Sequence, residues 1–286
     1  MKRGLAPAAL LALAAGAAGA ALMVKARRRW RRSLETALAT LEPAAVSPPA
    51  APSDAPERQM AEWPEPLRRC LEFAGVGPAT RPIRRVRLLQ QGEFALRKDS
   101  WLAFTADARY AVEPPSFVWD ARIRLMPFAG ILVCDSYAAG RGRTAASLGG
   151  IFPLAELAGG GELAVASLQR FLAELPFLPT ALAPSARLRW QALGERRLRA
   201  TLSDGGIAAS VDFELGDDGE IARMTALRGR ETGGRLVPTP WEGRFWDYRE
   251  QDGLRLPHRA EVAWILREGR MPYWRGLIVG CELQRG

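Results

Sequence analysis

An alternation of apolar and polar residues through most of the chain after residue 100 constrains the fold more than any other feature. In the segment 101–112 every even position is apolar, whereas Thr105, Asp107 and Arg109 occupy the other face. The same pattern recurs at 117–125, 187–192, 197–203, 209–215 and 259–266. A period of two places successive side chains on opposite faces of a β-strand, as in half-buried antiparallel sheets.

Turn residues separate several of these segments at hairpin spacing. Asp204-Gly205-Gly206 and Asp217-Asp218-Gly219 lie between neighbouring segments, and Asp252-Gly253 provides a third such signal. These combinations supply the positive backbone angles that tight hairpin turns need. We therefore predict about ten antiparallel strands.

Two segments show helical spacing instead. In 161–179 the residues Leu168, Phe171, Leu172 and Leu175 fall on one stripe, and the proline that follows at 176 ends the helix. A shorter helix is predicted within 63–76, where apolar residues recur three and four positions apart.

About ten strands at ~4.8 Å spacing make a sheet nearly ~50 Å wide, which two helices ~10 Å across cannot cover. The sheet must curl, and a closed barrel, a sandwich and a half-barrel are all open at this point. We predict a mainly β (α+β) fold. It is a large curved antiparallel sheet or half-barrel of about ten strands, with one or two helices packed on its concave face and a transmembrane helix before it.

The N-terminal segment 1–32 is predicted to be a membrane anchor. Residues 4–24 are uncharged and mostly apolar, about the length that crosses a bilayer, and the basic run KARRRWRR follows at 25–32. A cleaved signal peptide is the alternative, because small residues suitable for cleavage lie at 14–21. We favour the uncleaved anchor, since a strongly basic segment is hard to translocate.

The remaining boundaries follow from composition. Residues 33–59 are predicted to form a short helix and a Pro/Ala-rich linker, with five prolines in 43–56. Residues 60–286 are predicted to be a single antiparallel β domain. The expected localisation is the cell membrane, crossed once, with the side of the β domain and the oligomeric state left undetermined.

The net charge of +9 resembles that of a nucleic-acid-binding protein, but its distribution argues against that function. Eight basic residues and no acid lie in 1–34, which leaves +1 for the rest of the chain. A nucleic-acid-binding domain would concentrate positive charge on the folded part. Nucleic acid is therefore not an expected partner, and the membrane is.

Three blocks resemble an uncharacterised bacterial family whose members are often membrane-anchored and carry a domain of unknown function. They are PPSFVWDARI (114–123), FLAELPFLPTAL (171–182) and WEGRFWDYREQDGLRLPHRAEVAW (241–264). At the level of fold, the chain is similar to the half-barrel carriers of the lipoprotein-localisation-factor type. That similarity implies a curved sheet around an apolar cavity lidded by helices.

The candidate binding residues come from the sheet and from the predicted helix. Trp119, Trp190 and Trp264 lie on apolar strand faces, where they either fill a core or line a cavity. Phe171 and Leu175 would face the groove from the helix. Arg170 and Glu174, four residues apart, would form its polar rim, unless they are simply an exposed helix pair. A lipid, acyl chain or lipoprotein is the expected ligand.

Two other functions stay open. An enzyme could use Glu174, Asp120 and His258 in acid–base chemistry if two of them meet in one pocket, and a structural or interaction module would need neither pocket nor chemistry. We expect a binding protein rather than an enzyme. We expect no cofactor, and no metal, because one histidine and three scattered cysteines make a poor zinc site.

Overall fold

The structure is a computed structural model that describes residues 5–41, 60–127 and 129–286, with side chains from residue 19 onward. The α-helices with both ends in these ranges are α1 (Leu5–Ala39), α2 (Glu65–Phe73) and α3 (Gly161–Ala173). Two 3₁₀ turns, Leu175–Phe177 and Pro179–Leu182, follow α3.

All described strands belong to one antiparallel sheet. They are β1 (Ile83–Arg97), β2 (Ser100–Ala111), β3 (Ser116–Met126), β4 (Ala129–Ala138), β5 (Arg141–Leu148), β6 (Phe152–Gly159), β7 (Leu188–Gly194), β8 (Arg197–Asp204), β9 (Ile207–Leu215), β10 (Ile221–Thr232), β11 (Arg235–Gln251), β12 (Leu254–Leu266) and β13 (Gly269–Arg285). Their order across the sheet is β6-β5-β4-β3-β2-β1-β13-β12-β11-β10-β9-β8-β7.

The mainly β, antiparallel fold is confirmed, but the predicted number of about ten strands is too low, because the described sheet has thirteen. Several strands lack the alternation on which that number rested. β6 is an exposed edge strand along almost its whole length, and β4 contains an apolar run at 131–134. Neither environment imposes a period of two on the sequence.

The sheet curls around α3. This helix contacts β4, β5 and β6 near one edge and β8 to β11 near the other. β5 and β9 are nine positions apart, which corresponds to roughly 40 Å along the sheet. A helix ~10 Å across can touch both only if the sheet wraps around it. The architecture is therefore an open curved sheet with α3 inside the curve.

The two arms of the sheet meet at one corner. The β4–β5 turn approaches the β8–β9 turn so closely that a Cβ on Gly205 would lie 2.2 Å from the backbone nitrogen of Gly140. Tyr137 donates a hydrogen bond of 2.8 Å to Asp204 across the same corner. Only glycine allows this backbone approach, and both glycines also have positive φ angles.

The C-terminal part of helix α1 packs on the outer face of the sheet, a contact that was not predicted for the anchor or for the short helix after it. Ala37 and Leu41 bury Val118 and Cys134, which point away from α3. The outer face of β3 and β4 is thus a second, smaller core. Helix α1 also continues through the predicted boundary at residue 33, so the short helix expected after the anchor is the end of α1.

The predicted transmembrane helix is not supported. Among the described residues, none of the helices has a stretch both long and apolar enough to cross a membrane. Residue 4 and the side chains up to residue 18 lie outside the described part of the chain, as does the linker predicted at 43–56.

Candidate functional site

A cavity of about 540 Å³ lies between α3 and the concave face of the sheet. Its volume is within the range of small-molecule binding sites. The wall includes the last residues of β1 and β10 and the first of β13, so the cavity extends towards the hairpins β1–β2, β10–β11 and β12–β13. Its aromatic lining consists of Phe94, Trp119, Phe177, Trp241, Phe245, Trp264, Tyr273 and Trp274.

The face of α3 that lines the cavity is not its apolar stripe. The lining residues on this helix are Leu163, Ala166, Ser167, Arg170 and Ala173, at the three- and four-residue spacing of one helix face. These side chains are mostly small or polar. Apart from Leu163, the large apolar residues of α3, which are Leu168, Phe171 and Leu172, are buried in the filled core instead. The cavity therefore exists where the helix has little side-chain volume.

Arg170 is held by two carboxylates from different elements. Its Nη1 donates to Asp135 of β4 at 2.6 Å, and its Nε donates to Glu174 at 2.9 Å. Tyr110 of β2 donates a hydrogen bond to the second carboxylate oxygen of Glu174. The guanidinium also lies 4.9 Å from the ring centroid of Trp119. We call Tyr110, Asp135, Arg170 and Glu174 the Arg170 network.

Burial and charge act in opposite directions on the Arg170 network. Burial alone would lower the pKa of Arg170, but the charges of Glu174 and Asp135 raise the pKa above its ordinary value. Burial and the Glu174 charge both raise the pKa of Tyr110 well above its usual range. Arg170 and Tyr110 therefore stay protonated, and the network acts as a fixed link between helix and sheet. One buried oxygen of Asp135, Oδ1, has no hydrogen-bond partner among the described residues.

Arg228 of β10 also lines the cavity, in a different environment. Its Nε donates to the carbonyl of Ala166 at 3.0 Å, and its guanidinium lies 4.7 Å from the ring centroid of Trp241. No described carboxylate forms a salt bridge with it. Burial, together with the positive charge of Arg170, lowers the pKa of Arg228.

The aromatic wall is ordered by hydrogen bonds and stacking. Trp264 stacks on Tyr273 with centroids 5.7 Å apart, and Trp241 donates a hydrogen bond of 3.0 Å to the Tyr273 hydroxyl. On the opposite arm, Trp119 donates to the buried side-chain oxygen of Gln90 at 2.9 Å. The indole N–H groups of Trp119 and Trp241 are thus satisfied, which leaves their ring faces available for apolar contact.

The structure brings four of the seven predicted site residues together at the cavity: Trp119, Trp264, Arg170 and Glu174. Trp190 is elsewhere, because it packs on Phe213 and donates to the carbonyl of Leu182 at 2.9 Å. The sequence left open whether Trp190 fills the core or lines a cavity. In the structure it packs against the core.

Phe171 and Leu175 do not face the cavity, although they were predicted to form its lid. Both are almost fully buried, and they border a separate depression of about 230 Å³ beside Val112 and Pro115. Each follows a cavity-lining residue by one position, which rotates its side chain by about 100° around the helix axis.

The three acid–base candidates do not converge. Glu174 lines the cavity, but Asp120 and His258 are not part of its wall. Asp120 lies on the opposite face of β3 from Trp119, and burial and the nearby Asp107 raise its pKa. His258 lies near Asp247 and Arg249 on the neighbouring strand β11.

Arg228, Asp135, Trp241 and Tyr273 were not singled out from the sequence. The signal for Arg228 is an inversion of the pattern on β10, because Met224 is buried, Leu227 is 63% exposed and Arg228 takes the inward position. An apolar residue outside and an arginine inside is the opposite of what a strand facing a dry core requires.

A larger groove of about 950 Å³ separates α1 from the edge strands β5 and β6. It lies outside the curve of the sheet and has a different chemistry. Its basic lining residues are Lys25, Arg28, Arg29, Arg32 and Arg143. No group of three potential metal ligands occurs in the part of the chain that the structure describes.

Residues 61–282 match a family of unknown function, DUF6920. The chain belongs to this family. The predicted membership of an uncharacterised family is thus confirmed, and the match covers almost all of the β domain of this DUF6920 protein. No curated protein matches the sequence.

Solved structures similar to this DUF6920 protein include a LolA-superfamily protein from Nitrosomonas europaea, with 10% identity and a TM-score of 0.33. That match covers 77% of this chain and 93% of the other. A β-barrel-like protein of the DUF1849 domain from Brucella abortus matches with 12% identity and a TM-score of 0.25. It covers 72% of this chain and 99% of the other.

Proposed function

We propose that this DUF6920 protein binds the acyl chain of a lipid or lipoprotein in the cavity under α3. The observation that carries the proposal is a cavity of about 540 Å³ whose wall is mostly aromatic and apolar. Such a wall favours apolar ligands because their burial removes apolar surface from water, at roughly 25 cal/mol for each Å².

The rigid link between α3 and the sheet supports a preformed binding site. Arg170 joins α3 to β4 through Asp135, and Glu174 joins it to β2 through Tyr110. If the cavity is already open in the free protein, ligand binding does not have to supply the free energy needed to form it, and the affinity is higher.

The experiment measures binding of 1-N-phenylnaphthylamine, an uncharged fluorescent probe, to the full-length protein. Val262 lines the cavity, and the variant Val262→Trp should reduce probe affinity at least roughly tenfold by filling the space. The matched control is Val279→Trp, because Val279 is 53% exposed outside the cavity. Absence of probe binding to the wild type, or an equal effect of both variants, would contradict the proposal.

We further propose that the N-terminal segment holds the protein at a membrane. The exposed apolar residues Leu22, Met23 and Val24 precede the basic run of α1, a combination that suits an anionic bilayer surface. Flotation of the full-length chain with vesicles of phosphatidylcholine, with and without phosphatidylglycerol, tests this. Neutralising Arg27, Arg28 and Arg31 should weaken the association, and equal recovery with both vesicle types would count against a role for charge.

A further inference from the structure

Arg228 of β10 lines the cavity beside the aromatic wall and forms no salt bridge with a described carboxylate, and its surroundings are those of a binding group. Only its Nε makes a hydrogen bond to a described residue, the carbonyl of Ala166. Its two Nη groups, which carry four N–H donors, make none to the described residues. They are not enclosed either, since neither is among the fully buried unpaired atoms of the described residues.

The carboxylates that line the cavity already have other hydrogen-bond partners. Asp135 and Glu174 both bond to Arg170, and Glu231 accepts a hydrogen bond of 2.8 Å from the backbone nitrogen of Gly234. None of them lies within 4.0 Å of the Arg228 guanidinium nitrogens. Of the arginines in the cavity wall, Arg170 therefore pairs with two carboxylates, whereas Arg228 and Arg230 form no salt bridge with a described residue.

An arginine without a carboxylate partner in an apolar wall is costly to the folded protein unless something else compensates its charge. The cation–π contact with the Trp241 ring, 4.7 Å from the guanidinium carbon to the centroid, offsets part of this cost. The same low polarity strengthens any ion pair that a ligand forms there. The planar fork of an arginine suits two oxygens of one carboxylate or phosphate group.

We propose that Arg228 binds the anionic headgroup of the amphiphile whose chain occupies the cavity, so that the ligand class is a single-chain acyl carboxylate or phosphate. This inference rests on the proposed function and adds the headgroup to it. Arg230 lines the same part of the wall, two residues further along β10, and reinforces the positive charge there. The apolar chain then lies against Trp264 and Trp274.

The test compares ligands that share a chain and differ in headgroup. Dodecanoate, dodecyl phosphate and dodecanol are used to displace 1-N-phenylnaphthylamine from the full-length protein at one ionic strength. In the wild type, one of the two anions should bind roughly tenfold to hundredfold more tightly than the alcohol, as expected for hydrogen bonds to a charged group. Whichever anion is preferred identifies the headgroup.

Three variants locate the effect. Arg228→Met should reduce the preference for the anion to about onefold while dodecanol still binds, and Arg228→Lys should keep part of the preference because it keeps the charge. Arg189→Gln is the control for net charge, since Arg189 is exposed on β7 and outside the cavity wall.

The two proposals fail in different ways. Equal binding of anion and alcohol, or an unchanged preference in Arg228→Met, overturns the role of Arg228 and leaves the acyl-binding function standing. If no dodecyl ligand displaces the probe from the wild type, the acyl-binding function itself is wrong. Melting temperatures of all variants show whether a loss of binding is a loss of folding.

Discussion

Asp135 on β4 and Arg170 on α3 lie 35 residues apart in the chain and are joined by a hydrogen-bonded ion pair of 2.6 Å. Glu174 completes the arrangement from the next turn of the helix region, at 2.9 Å from Arg170. All three side chains are less than a quarter exposed. Beside the cavity, this network of polar contacts therefore joins α3 to the sheet in place of apolar packing.

The first prediction concerns the stability of the Arg170 network. Arg170→Met should lower the free energy of unfolding by about 3 kcal/mol, because it leaves two partly buried carboxylates without their cation. The measurement is urea-induced unfolding of the full-length chain. Arg199→Met is the matched control, since Arg199 pairs with Asp212 but is 46% exposed, and its loss should stay below about 1 kcal/mol. Similar losses in the two variants would contradict a structural role for the network.

The second prediction concerns Arg228, which we assign to ligand binding and not to stability. Arg228→Met should leave the free energy of unfolding within about 1 kcal/mol of the wild type. Removing a buried charge compensates for the lost contacts with Ala166 and Trp241. The same urea titration measures it, in the absence of added ligand. A loss of about 3 kcal/mol or more would show that Arg228 is a structural residue.

The third prediction concerns His258 and pH. Burial and the nearby charge of Arg249 lower its pKa in the folded protein below the ordinary value of 6.5. As pH falls through 6.5, the unfolded chain binds a proton before the folded chain does, so stability decreases. His258→Gln should remove this part of the acid sensitivity and leave stability above pH 7.5 little changed.

Free energies of unfolding measured between pH 7.5 and pH 5 for both proteins check this prediction. His258 is the only histidine in the chain, so the difference between the two curves isolates its titration from that of the carboxylates. A wild type and variant that lose stability in parallel would rule out the proposed effect.

The fourth prediction concerns Gly276, which lies beneath the Trp274 ring. A Cβ at position 276 would lie 2.1 Å from a carbon of that indole. Gly276→Ala should displace Trp274 from the cavity wall, destabilise the protein by about 1–3 kcal/mol and weaken binding of 1-N-phenylnaphthylamine.

Gly194→Ala is the control for the Gly276 experiment, because a Cβ at position 194 meets nothing within 4 Å. Its free energy of unfolding should change by no more than about 0.5 kcal/mol. If Gly276→Ala behaves like Gly194→Ala in both stability and probe binding, Trp274 does not depend on the glycine for its position.

The sequence alone determined the class of the fold and part of the candidate site. Alternation at 101–112 and 117–125 identified antiparallel strands, because one buried face imposes a period of two. Residue spacing likewise predicted a helix within 161–179, where α3 covers Gly161–Ala173, and named Trp119, Trp264, Arg170 and Glu174, which line the cavity. Strands such as β4 and β6 do not have one buried and one exposed face. Their sequences therefore lack a period of two, and such strands were undercounted.

Only the tertiary structure decided which side of α3 faces open space. Sequence periodicity predicts that the apolar stripe containing Phe171 and Leu175 faces the groove. In the structure these large side chains pack tightly in the core and leave no space. The cavity lies along Ala166 and Arg170 instead. The partners of Arg170 and the absence of a described carboxylate partner at Arg228 depend on strands far apart in the chain. Such pairings arise from the curl of the sheet, a long-range property that local periodicity does not record.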